Sequence, residues 1–144
     1  QAFAADLRAV VGVADTLARL SGPFCVASSG SLLKIRRNLQ LTGLLGHFDP
    51  HLFSSEMVEH GKPAPDLFLF AAERMGFSPA DCVVIEDSIP GVRAGRAAGM
   101  RVLGFVGGSH CQPSTAEGLR SAGALAIIER MRDLPGCLSS AIDD

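Results

Sequence analysis

Val83, Val84 and Ile85 form an unbroken apolar run that stops on two adjacent carboxylates, Glu86 and Asp87. A strand with one wet face alternates apolar and polar side chains, whereas a run without alternation is buried on both faces. Burial on both faces calls for helices above and below the sheet, so this run selects a parallel α/β architecture. Ser88, Pro90 and Gly91 then turn the chain into a helical pattern from Val92 to Ala98. The two carboxylates therefore stand at the carboxyl end of a buried strand, the edge at which open α/β sheets bind ligands. Acidic side chains there can hold a hard cation such as Mg2+ through oxygen. The plainer alternative is that Asp87 only caps the next helix.

The rest of the chain repeats this rhythm of strand, polar loop and helix. Apolar residues from Leu7 to Leu20 follow a helical spacing that Ser21-Gly22-Pro23 ends. Phe24 to Ala27 reads as a short buried strand opening into Ser28-Ser29-Gly30-Ser31, and a helix from about Leu32 to Leu41 turns Leu32, Ile35 and Leu39 inward. Free N–H groups at a helix start, with hydroxyls and a glycine nearby, suit a phosphate, although a plain N-cap by Ser31 or Ser29 uses the same residues. His51 to Ser55 can form another strand. Gly61-Lys62-Pro63-Ala64-Pro65-Asp66 follows and leads into a helix that stops at Gly76. Two prolines fix the direction of the chain around Lys62, which gives that lysine a defined aim; most lysines are simply solvated. A strand at Arg101 to Val106, a loop through Gly107-Gly108-Ser109-His110, a helix from Thr115 to Ala122 and a strand at Ala124 to Ile128 complete the pattern. The alternation predicts a doubly wound parallel sheet with right-handed crossovers. Ser28, Lys62, Glu86 and Asp87 all fall just after a strand or just before a helix, so they can converge on one edge.

Composition narrows the class. The chain has 144 residues, 47% of them hydrophobic and 19% charged, which is enough apolar material for one buried core. A formal charge of −2 without a basic block leaves no nucleic-acid footprint. No apolar run approaches the ~20 residues of a membrane span, and the first residues lack the features of a signal peptide. Cys25, Cys82, Cys111 and Cys137 form no C-x-x-C pair and read as reduced thiols of a cytoplasmic protein. His47, His51, His60 and His110 lack a paired metal spacing and read as loop or surface residues. The chain does not begin with Met and is expected to be a segment of something longer.

The ordered set of Ser28 after a strand, Lys62 in Gly-Lys-Pro-x-Pro, and Glu86-Asp87-Ser88-x-x-Gly91 with Gly99-Met100 behind it resembles the haloacid dehalogenase superfamily. Within that superfamily it looks most like the phosphatase and phosphoglucomutase branch with a helical cap, over Pro23 through Leu134. The resemblance implies a Rossmannoid core over residues 23–144, with residues 1–22 as the end of the cap and the return to the core. It implies that Ser28 hydrogen-bonds a transferring phosphoryl group, that the N–H groups of Ser29 and Gly30 help to cradle it, and that Lys62 neutralises its charge. Asp87 is implied to ligate Mg2+, with Glu86 helping directly or through water. The implied substrate is a small phosphorylated metabolite such as a sugar phosphate, with phosphomutase chemistry as the alternative.

One departure bears on activity. The family nucleophile is an aspartate of an Asp-x-Asp motif on the first strand, and this sequence contains no Asp-x-Asp. The expectation is therefore a sheet lacking its first, central strand and most of the cap, without turnover on its own, exposing apolar edges that are poorly stable or pair with another chain. A truncated or degenerate relative serving as a non-catalytic binding module is the rival from outside enzymology. A receiver domain places its acidic residues before the hydroxyl and its lysine last, which is not the order here. A dehalogenase of the same superfamily needs no metal, so the Glu86-Asp87 pair favours the phosphatases. The sequence leaves oligomeric state open.

Overall fold

The computed structural model describes residues 2–5, 23–107 and 113–143. Its strands are β1 (Ala2–Ala5), β2 (Phe24–Ser28), β3 (Leu52–Ser54), β4 (Cys82–Glu86), β5 (Arg101–Phe105) and β6 (Ala126–Ile128). They form one sheet in the order β3-β2-β1-β4-β5-β6, and every pairing is parallel. The described helices are α1 (Leu32–Leu41), α2 (Leu45–Phe48), α3 (Asp66–Met75), α4 (Ile89–Ala97), α5 (Pro113–Ala122) and α6 (Leu134–Asp143). This is the doubly wound parallel α/β sheet that the sequence predicts.

Side-chain alternation along the buried strands divides the interior into two cores. Val26, Val83, Ile85, Leu103 and Phe105 face one way and meet Ile35 and Leu39 of α1, Phe48 of α2 and Leu134 of α6. Cys25, Ala27, Cys82, Val84 and Val102 face the other way and meet Leu67, Phe68, Ala71 and Ala72 of α3, Val92 and Ala94 of α4, and Leu119 of α5. All of β4 is buried, as its lack of polar alternation requires. Glu86, two residues beyond Val84, falls on the α3 and α4 side of the sheet.

The sequence reading left the position between β2 and β4 empty, and here the structure corrects it. Ala2–Ala5 lies there, with Ala5 beside Val26 on one flank and Ile85 on the other. The physical reason is that β2 and β4 each turn a row of ladder N–H and C=O groups toward that position, and an extended apolar segment satisfies both rows. The apolar edges expected at the centre of the sheet are thereby paired. The helix expected over the residues that follow lies outside the described residues. Two further elements have no counterpart in the sequence reading: α2, only four residues long, and α6, whose Pro135-Gly136 pair reads locally as a turn.

Serine side chains cap the helices that follow both loops. Ser31 caps α1 by accepting from Lys34 N–H at 3.2 Å, and Ser88, not Asp87, caps α4 by accepting from Gly91 N–H at 3.1 Å. Gly76 ends α3 in the left-handed region at φ +84°, where a glycine is at ease.

Candidate active site

Four of the singled-out residues, Ser28, Lys62, Glu86 and Asp87, lie along the carboxyl edge, and the side chains of Lys62 and Glu86 meet there. Lys62 reaches this edge from the loop that enters α3: its Nζ donates to the Ala27 carbonyl at 3.1 Å and to Glu86 Oε2 at 2.5 Å, and lies 5.0 Å from the centre of the Phe68 ring. Its side chain is only 3% exposed and that of Glu86 0%, so the lysine is a buried, aimed group and not a solvated one. Ala27 immediately precedes Ser28, so the same contact brings the ammonium beside the Ser28 loop.

Glu86 organises the turn after β4. Its Oε1 accepts from Asp87 N–H at 3.1 Å and from Ser88 Oγ at 3.2 Å, while Oε2 takes Lys62. Room for this carboxylate depends on Gly91, where an added Cβ would overlap the Glu86 carboxyl carbon and both of its oxygens. The sequence reading pairs Glu86 with Asp87 at a metal. In the fold Glu86 turns inward onto the lysine and the turn, and Asp87, half-buried, comes next along the edge. Among the described residues, no three His, Cys, Asp or Glu side chains come together in a way that could hold a metal ion.

The Ser28 loop differs in detail from the expected cradle. Gly30 N–H donates to Ser28 Oγ at 3.1 Å, so it orients the hydroxyl instead of standing open at a helix start. Leu32 N–H, in the first turn of α1, is taken by Glu56 Oε1 at 2.8 Å. With those two donors engaged, the Ser28 hydroxyl proton is one donor that the loop can still offer to an anion. Ser28 is half-buried and Ser29 exposed.

Sequence reasoning missed Ser54, Ser55, Glu56 and Phe68 as parts of this edge, and took Gly91 as a turn and motif residue without its role in housing the Glu86 carboxylate. For Ser54 and Ser55 a signal was present, since hydroxyls follow an apolar run there just as they do at Ser28. For Gly91 the signal is its place in the first turn of the helix that follows a buried acid at a strand end. His47, His51 and His60 are exposed, as expected, whereas His110 and the Gly108 to Ser109 part of its loop lie outside the described residues.

A protein-family model described as haloacid dehalogenase-like hydrolase matches residues 1–99. The 6-phosphogluconate phosphatase of Escherichia coli K12 is 32% identical over 111 residues, 77% of this chain and 50% of that protein. Among solved structures, a conserved haloacid dehalogenase-like protein of unknown function from Agrobacterium tumefaciens superposes with a TM-score of 0.89 at 42% identity, covering 92% of this chain and 61% of that one. A haloacid dehalogenase family hydrolase from Deinococcus radiodurans, solved with bound phosphate and sodium, superposes at 0.85 with 34% identity, covering 93% of this chain and 60% of that one. The chain thus spans about half the length of that curated relative and about three fifths of those solved structures.

Proposed function

Because the chain belongs to the haloacid dehalogenase-like hydrolases, we propose that it carries the phosphate-binding and metal-binding side of a Mg2+-dependent phosphatase acting on a small phosphorylated metabolite such as a sugar phosphate. The observation that carries this reading is the buried Lys62, held between the Ala27 carbonyl, one residue before Ser28, and the Glu86 carboxylate. Phosphoryl transfer needs positioning and positive charge around three oxygens more than elaborate bond-making. Lys62 would neutralise those oxygens, and Ser28 would donate to one of them, its lone pair already fixed by Gly30. The phosphate in the Deinococcus structure and the substrate named for the E. coli enzyme support this class of ligand.

The donor chemistry fits Mg2+, which is commonly held by one or two carboxylates together with water and phosphate oxygens. Asp87 would be the carboxylate ligand, and Glu86 would fix the turn that presents it. When bound, Mg2+ would supply positive charge to the phosphoryl oxygens. The core in this reading takes in the central strand Ala2–Ala5 together with the chain from residue 23 onward, and its two buried thiols suit a reducing compartment such as the cytoplasm.

One observation favours a second reading, as a phosphate-binding module without turnover: the sequence contains no Asp-x-Asp. Two assays test these readings. Titration with inorganic phosphate in Mg2+, followed by amide shifts, should show binding that Lys62→Ala removes and Asp87→Asn makes insensitive to Mg2+. A chain that ignores phosphate refutes both. Phosphate release from sugar phosphates by the same chain, free of contaminating phosphatase, should be absent; turnover that Lys62→Ala lowers by on the order of 10²–10³ would mean that the chain contains its own nucleophile.

A further inference from the structure

The Ser28 loop is held from behind by the last residue of β3 and the two that follow it. Ser55 Oγ donates to the Ser29 carbonyl at 2.7 Å, and Ser54 Oγ donates to the Gly30 carbonyl at 2.6 Å. Glu56 N–H donates to Ser54 Oγ at 3.1 Å, while the Glu56 carboxylate takes Leu32 N–H. Ser54 has no exposed surface. The same stretch runs on to Lys62, and a Cβ on Gly61 would lie 3.6 Å from Ser55 Cβ. One continuous segment therefore grips the loop that carries the hydroxyl and then becomes the loop that carries the lysine.

The consequence follows from peptide geometry. The Ser29 carbonyl and the Gly30 N–H belong to one trans peptide plane and point in opposite directions. Holding that carbonyl toward Ser55 drives the Gly30 N–H toward Ser28 Oγ, where it is found. Ser55 thus acts on the Ser28 hydroxyl through a single peptide plane, and Ser54 fixes the next plane in the same way. We propose that Ser54, Ser55 and Glu56 are positioning residues of the phosphate cradle, setting the orientation of the Ser28 hydroxyl relative to Lys62. This rests on the reading of Ser28 and Lys62 as the phosphate contacts.

The test uses inorganic phosphate as the probe, in Mg2+, with Ser55→Ala as the main variant because Ser55 is only half-buried. Loss of one oriented hydrogen bond should weaken phosphate binding by roughly three- to tenfold while Mg2+ affinity and the melting temperature hold. Ser55→Thr, which keeps the hydroxyl, should restore it. The decisive comparison is the double variant: if Ser55 acts through Ser28, Ser28→Ala with Ser55→Ala binds no more weakly than Ser28→Ala alone. Additive losses, or a Ser55→Ala chain that binds as tightly as the wild type, overturn the positioning role even when Lys62→Ala abolishes binding. Binding that Lys62→Ala leaves intact, or no binding by the wild type, overturns the cradle itself and the positioning role with it.

Discussion

At Gly91 the absence of a side chain is a functional requirement. The Glu86 carboxylate fills the space that a Cβ would take, and that carboxylate is the partner of a lysine with almost no access to water. A buried ion pair offsets its desolvation only while both members are in place, and leaving one charge alone costs about 3–5 kcal/mol. Gly91→Ala should therefore behave like damage to the pair: stability falls by at least about 2 kcal/mol, on the scale of overpacking a dense site, and phosphate binding falls with it. Denaturant unfolding and phosphate titration of the same variant check this. An alanine tolerated at no cost would mean that Glu86 has another place to go. The motif residues Ser28, Lys62, Glu86 and Asp87 were legible because each interrupts an apolar or helical pattern where none is needed. Gly91 was legible only as a turn and motif residue; its role in housing the carboxylate was not, since a glycine near a helix start looks ordinary until the buried acid at the end of β4 is seen to lean on it.

Among the elements, those with strong periodicity or clear stops could be read almost to their ends. Helix α1 spans the range its Ile35 and Leu39 spacing predicts, and Gly76 ends α3 in the expected left-handed turn. What could not be read is short or stabilised from a distance. Ser55 reads as the last residue of a strand but opens a single 3-10 turn, Ser55–Met57, because Ser54 and Glu56 bond to the Ser28 loop and to α1 instead of continuing the ladder. The start of α1 has two independent supports, the Ser31 side chain and the Glu56 carboxylate. Ser31→Ala should cost about 1 kcal/mol, as N-cap losses do. Glu56→Gln keeps an acceptor but removes the charge from the positive end of the helix, and should cost about 0.3–1 kcal/mol. Equilibrium unfolding measures both, and a Ser31→Ala chain as stable as the wild type would show that Glu56 alone sustains the helix start.

For the molecule as a whole, the two cores separate inert thiols from accessible ones. Burial, reinforced by nearby Cys82, pushes the Cys25 thiol up to about 12, and burial followed by the charge of Asp81 raises Cys82 as well. Both thiols stay protonated in the fold, whereas unfolded thiols begin to ionise near pH 9.0. The Cys25 contribution to stability is thus complete below that pH and drains away as pH rises toward 12, and Cys82 contributes in the same direction. Alkylation at pH 8 with peptide mapping should find half-buried Cys137 labelled on the order of 10²-fold faster than Cys25 or Cys82, since only an accessible thiolate reacts. The strand order has a kinetic meaning too. Pairing Ala2 with Cys82 at the centre of the sheet closes a loop that takes in α1, α2 and α3, while the outer pairs β2 with β3, β4 with β5, and β5 with β6 join closer neighbours. Closure entropy must be met before so distant a contact repays it, which makes the centre the slow event in folding. Ser28 and Lys62 belong to one half of the sheet, Glu86 and Asp87 to the other, so the ligand edge comes into being only at that final zipping step.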